Sequence, residues 1–295
     1  MLPSGAPPAI TPAMDTLLLG LMAALCWGSA DFAARFSGRA LGAAPALLGV
    51  MAVGTVGLGL WLAVSGTPFP DQLSWFAAGN GVCGLGGLLL LYEALRRGRV
   101  AAVVPLVGAF PAWALALMVI FQGIRPPPAA WAAMAATMAG VWVVARFSPD
   151  EPAGEGRAGG GATPIALAAG AVFGASLVFG QYAAARHGEA AALFLARAIG
   201  FLALAATAAR GGCALPRLRW APLLVVQGLL DAGGFLALLF AGRGEGGAEA
   251  TVVSSTFGLV TIALARLILR EAILPQQWLG IALTFAGVAA LSALG

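Results

Sequence analysis

The sequence predicts an all-α polytopic membrane protein built as two inverted five-helix repeats. Three observations carry that prediction. Sixty per cent of the 295 residues are hydrophobic and 9% are charged, against roughly 45–50% and 25% in an ordinary soluble domain. Apolar stretches of about twenty residues, the length that crosses a bilayer as a helix, occur ten times. Residues 148–163, with two prolines, five glycines and almost nothing apolar, divide these stretches into two sets of five. Such a segment can bury no surface and is expected to be a flexible solvated linker.

Taken in order, residues 1–14 are uncharged up to Met14, rich in proline and without the basic region of a signal peptide, so a disordered tail is expected. The spans of the first repeat (15–147) are 15–37, 43–65, 73–95, 100–122 and 128–147. Those of the second (164–295) are 164–185, 190–210, 219–241, 248–269 and 273–293. The breaks carry turn and charge signals: Gly38-Arg39, Thr67-Pro68-Phe69-Pro70-Asp71, Arg96 to Arg99, Arg125 to Pro128, His187-Gly188, Pro216 to Arg219, Gly242 to Gly247 and Arg270-Glu271.

The halves also match residue by residue. Trp27-Gly28 answers to Phe173-Gly174, Val103-Val104 to Val252-Val253, and Trp131, Thr137 and Gly140 to Trp278, Thr284 and Gly287 at a constant offset. An odd number of helices per half makes equivalent helices run oppositely through the membrane. That is the inverted-repeat architecture in which carriers hold a substrate at the midplane.

The sixteen basic residues are all arginine, and most lie in the loops after odd-numbered spans, which by the positive-inside rule puts both termini outside. This scatter is a topology signal and not a nucleic-acid footprint. Cys26, Cys83 and Cys213 are isolated and His187 is the one histidine, so neither a metal site nor a cofactor is expected. Gly79 to Gly84 reads GxGxxG, but a dinucleotide loop needs a preceding strand and a soluble helix after it.

Polar residues at membrane depth are the informative ones, because a charge there costs at least roughly 2.5–3.5 kcal/mol unless it meets a cavity or a partner. Asp31, Arg197, Gln227 and Asp231 qualify. Gln227 and Asp231 share a helical face, as do Trp27 and Asp31. Competing structural roles are an Arg197–Asp231 ion pair and an Asp31–Arg35 pair at (i, i+4). Pro105 and Pro111, with Phe110 and Trp113 nearby, are expected to bend the fourth span. The ninth carries Ser254-Ser255-Thr256 instead, whose hydroxyls either satisfy freed carbonyls or line a polar cavity. Tyr92, Glu93, Gln181 and Tyr182 read as interfacial anchors.

Leu25-Cys26-Trp27-Gly28-Ser29, Ala101-Ala102-Val103-Val104-Pro105-Leu106 and Arg270-Glu271 followed by Trp278-Leu279-Gly280 and Gly287-Val288 resemble the EamA-type branch of the drug/metabolite transporter superfamily, over roughly residues 15–293. The resemblance implies a small-solute transporter, often an exporter of amino acids or related metabolites, with a layout similar to that of an aromatic amino-acid exporter. It also implies termini inside, opposite to the arginine distribution. Where the family pattern has an acid after the fourth span, this chain has Gln122-Gly123.

The combined expectation is a bacterial-type inner-membrane carrier, monomeric in lipid, without enzymatic activity, for small partly apolar metabolites with amino acids favoured. Trp27, Phe110 and Trp113 would supply apolar contact, and Asp31, Arg197, Gln227, Asp231 and Ser254 the polar groups. The rivals are a proton-driven drug or cation exporter, a membrane-embedded enzyme and a structural membrane subunit. The last differs from a carrier in that its polar residues need not converge on one cavity.

Overall fold

Lipid offers backbone amides no hydrogen-bond partners, so a spanning chain must satisfy them internally, as helices do. The computed structural model describes residues 12–147, 161–241 and 247–294. The expected tail, apart from its last three residues, and most of the expected linker lie outside the described residues. Among the described ones there is no strand. The helices are α1 (Pro12–Leu41), α2 (Ala43–Ser65), α3 (Trp75–Arg97), α4 (Val100–Gly108), α5 (Phe110–Gln122), α6 (Pro128–Phe147), α7 (Ala162–His187), α8 (Glu189–Ala209), α9 (Ala221–Ala241), α10 (Gly247–Ser254), α11 (Phe257–Ile268) and α12 (Pro275–Leu294). With α4 and α5 counted as one span, and α10 and α11 as another, ten are long and apolar enough to cross a membrane. Large apolar side chains such as Leu60, Val64, Ile120, Phe121 and Leu267 stay exposed on the outer surface, which is the face such a bundle presents to acyl chains.

Two boundaries differ from the sequence reading. The expected break at Gly38-Arg39 does not occur, because α1 continues to Leu41 and the chain turns at Gly42, whose φ of 88° needs a residue without Cβ. Arg39 instead donates through Nε to Leu95 O and through Nη2 to Gly98 O at the end of α3, 3.4 Å each. The second change is at α7, which begins at Ala162, inside the expected linker.

The fourth span does break, and the second half reproduces the break by other chemistry. Pro111 lies in the first turn of α5 and has no N–H to give to Val107 O, so the helix interrupts at Ala109. In the ninth span α10 ends at Ser254 and α11 starts at Phe257. There Ser255 Oγ donates to Val252 O (2.6 Å) and Thr256 Oγ1 to Val253 O (2.7 Å). The hydroxyls therefore serve the freed carbonyls and not a cavity.

The main contacts between the halves map onto one another when the halves are exchanged. The α3–α7 contact has its image in α1–α9, the α2–α9 contact in α8–α3, and the packing of α1 on α10 and α11 in that of α7 on α4 and α5. The α2–α8 and α6–α12 contacts are their own images. Each of these joins one half to the other, so the repeats are interleaved around a pseudo-two-fold axis.

The matched dipeptides Trp27-Gly28 and Phe173-Gly174 are explained by this geometry. A Cβ on Gly234 would lie 2.6 Å from Trp27 Nε1, and one on Gly87 2.8 Å from Phe173 Cδ1, so each aromatic ring lies on a bare glycine of the neighbouring helix. Gly28 likewise faces Phe257 O (2.6 Å from a built Cβ) and Gly174 faces Phe110 O (3.0 Å), the residues just after the two helix breaks. Close backbone approach of this kind supplies packing where lipid removes the hydrophobic drive between helices. The GxGxxG stretch has the same use inside α3: Gly79 receives Phe179 and Gly81 receives Ile199.

Candidate functional site

Between the halves lies a cavity of about 450 Å³, with walls from α1, α2, α3, α4, α5, α7, α8, α9 and α11. Its body is apolar, formed by Leu85, Leu88, Val107, Phe110, Phe173, Leu177, Phe235 and Phe257 among others. The lining extends towards Asn80 near the start of α3 and Gln181 and Ala184 near the end of α7. It therefore runs from mid-bundle to the end where α7 passes into α8.

The inner end is charged. Arg197 Nη2 lies 3.0 Å from Asp231 Oδ1 and 2.8 Å from Oδ2. The guanidinium also stands 5.1 Å from the ring centroid of Phe235, and its Nη1 contacts Met51 Sδ at 3.7 Å. The ion-pair alternative is thus the arrangement adopted, and both partners still line the cavity. Asp31 lines it too, one turn after Trp27 and half-buried. The Asp31–Arg35 pair does not form. Arg35 instead donates through Nη1 to Gly98 O (2.6 Å) and pairs with Glu271 Oε1 (3.4 Å). Glu271 in turn accepts from Val100 N (3.2 Å) and Ala101 N (3.1 Å), so its carboxylate binds the N-terminal amides of α4. This buried cluster closes the bundle at the end away from the cavity's mouth.

Five of the eight sequence candidates, Trp27, Asp31, Phe110, Arg197 and Asp231, line the cavity, and three do not. Gln227 is 1% exposed. It donates to Ala30 O (3.2 Å) and to Tyr92 Oη, and accepts from Ser37 Oγ (3.0 Å). Both amide protons are then used, leaving none for a ligand. Helical phase put Gln227 beside Asp231, but the neighbouring α1 and α3 cover that part of the face. Trp113 is pressed against Gly174 of α7, with its Nε1 buried and unpartnered. Ser254 is buried and donates to Thr251 O (2.9 Å). Trp27 itself is fixed by donation from Nε1 to Asp231 O (3.2 Å) and by an edge contact with Phe235 at 4.7 Å.

Sequence reasoning missed a second polar node. Ser176 Oγ donates to Asn80 Oδ1 at 2.8 Å, and both residues line the cavity nearer its mouth. Asn80 sits inside the glycine-rich stretch, where packing masked it. Phe173 and Phe257 were recoverable, as the repeat partners of Trp27 and Phe110. Gln181 lines the cavity near its mouth, and Tyr92 is a core residue at 3% exposure and so not an interfacial anchor. His187 ends α7, its Nε2 2.9 Å from Ser74 Oγ.

No curated protein matches the sequence significantly. A solved structure described only as a crystal structure of a protein is similar over 93% of this chain and 95% of its own, at a TM-score of 0.60 and 17% identity, a likeness of fold. The model of the EamA-like transporter family matches residues 14–146 and again 162–293, one match in each half. A ten-span bundle made of two such units is an integral membrane protein with a transporter's architecture, and this chain belongs to the EamA-like transporter family.

Proposed function

We propose that this protein is a monomeric inner-membrane carrier that exports small, partly apolar metabolites, amino acids foremost, by alternating access. The observation that carries the reading is convergence. Asp31 and Asn80 from the first half, and Ser176, Gln181, Arg197 and Asp231 from the second, meet on one cavity between the repeats. A structural subunit has no need of that arrangement, whereas a carrier holds its solute at the interface between inverted repeats and rocks one against the other. A volume of about 450 Å³ falls in the lower part of the roughly 300–1,000 Å³ range of small-molecule sites, and apolar walls with a few polar groups match their usual chemistry.

One observation favours the cation-exporter reading alongside it. Asp31 faces the cavity without a counter-ion among the described residues, and an acid so placed suits a cation or a proton. Purified protein in proteoliposomes separates the readings. Counterflow of labelled phenylalanine, competed by leucine but not by quaternary ammonium dyes, is the expected result. Saturable dye exchange without amino-acid movement would favour the cation exporter, and flux equal to that of empty liposomes for every solute would end the carrier reading.

A further inference from the structure

Among the described residues, the ionisable groups lining the cavity are two acids and one base: Asp31, Asp231 and Arg197. They are not equivalent. Both Asp231 oxygens lie within 3.0 Å of Arg197 Nη2, and the guanidinium is held further by the Phe235 ring and Met51 Sδ. The charge of Arg197 is therefore already balanced by Asp231. Asp31 has no hydrogen-bond or ion-pair partner among the described residues, and its nearest basic neighbour along the helix, Arg35, is taken by Glu271 and Gly98 O.

From this we infer that Asp31 is an ammonium-binding subsite, and that the substrates are apolar amines recognised through their positive end, with a carboxylate tolerated but not sought. The inference rests on the carrier reading and names the class of solute that reading left open. A carboxylate in the cavity, among the described lining residues, meets one cation already neutralised and two acids that repel it. An ammonium meets a carboxylate with both oxygens unsatisfied, inside a low-dielectric wall that strengthens the attraction. Its three donors match the acceptor capacity of Asp31. The Trp27 ring one turn away on α1 lines the same cavity. The aliphatic and aromatic belt beyond accommodates the body of such a molecule, while the Asn80–Ser176 node and Gln181 offer only neutral hydrogen bonds at the mouth.

Three probes of one shape decide the matter: phenethylamine, L-phenylalanine and 3-phenylpropionate, measured by calorimetry in detergent and by flux in proteoliposomes. The expected result is that wild type binds phenethylamine at least as tightly as phenylalanine and does not bind phenylpropionate. Asp31→Asn should weaken amine binding tenfold or more, and Asp31→Glu should restore it to within a few-fold. The wild-type comparison needs no variant, so it stands if Asp31→Asn folds poorly. Tighter binding of phenylpropionate than of the amine would overturn the inference. So would unchanged amine binding in a folded Asp31→Asn protein, or a variant whose only loss is a response to sodium or pH. If wild type binds the amine through Asp31 but transports none of the probes, the carrier reading fails and the subsite stands. If wild type and Asp31→Asn bind and transport the probes alike, the subsite fails and the carrier reading stands.

Discussion

Replacing Glu271 tests the closed end of the bundle. Its side chain is 7% exposed and that of Arg35 8%. The carboxylate accepts from two α4 amides as well as pairing with the guanidinium. Glu271→Ala therefore removes the acid from a buried pair, and breaking one side of such a pair costs about 3–5 kcal/mol. It also leaves two helix N-terminal amides without an acceptor, at about 1–3 kcal/mol each where water cannot replace it. These losses share one site and do not add, so a net destabilisation of about 3–5 kcal/mol is expected. Glu93 supplies the control. It pairs with Arg96 (2.7 Å) and Arg97 (2.5 Å), but its side chain is 24% exposed and its partners 28% and 30%, and pairs of that kind contribute about 0–1 kcal/mol. Unfolding by SDS titration in mixed micelles should give a large loss for Glu271→Ala and a small one for Glu93→Ala. The double variant Arg35→Met/Glu271→Ala should be less damaged than the sum of its singles. Equal losses at positions 271 and 93, or additive singles, would refute the argument that burial makes this cluster a lock. The cluster also has a structural counterpart to compare. At the cavity's mouth Gln181 occupies the repeat position of Arg35, and the turn after α5 reads Gln122-Gly123-Ile124 without an acid, so no equivalent lock closes that end.

Asp231→Asn should lower stability by about 3 kcal/mol, the low end for a broken buried pair because the Asp231 side chain is 18% exposed to the cavity. Thermal unfolding measures it, and an unchanged midpoint would show that Arg197 does not depend on the pair. Gln227→Leu leaves Tyr92 Oη, Ser37 Oγ and Ala30 O to find new partners, for an expected loss of about 2–4 kcal/mol. Its substrate affinity should be unaltered, and a tenfold change in affinity in a stable protein would return Gln227 to the site. A cysteine at Gly160, in the segment joining the halves, should be protected from an impermeant thiol reagent in intact cells if the arginine-rich odd loops face the cytoplasm. Ready labelling would reverse that orientation.

The span count and the two-fold repeat were legible in the sequence because lipid imposes them locally. Each crossing needs its own apolar length, and an odd number per half forces inversion. The break near Pro111 was legible for the same reason, since a missing N–H acts within one turn. Two more aromatic wall residues, Phe173 and Phe257, stood at the repeat positions of Trp27 and Phe110 but were not singled out. Partner choice was a different matter. On periodicity alone Asp31 could have paired with Arg35, and Gln227 could have faced the solute beside Asp231. The chain resolved both by contacts across 190 residues or more of sequence: Ser37 on Gln227 and Glu271 on Arg35. Helical phase states which residues share a face, but whether that face meets another helix or an open cavity depends on interhelical packing. Here that packing is set by glycines such as Gly87 and Gly234, whose missing Cβ atoms let an aromatic ring from the other half lie against the helix. Tertiary structure alone therefore decided that Gln227 is sealed between α1 and α3 while Asp31, on the same helix as the lock residue Arg35, is left facing open space.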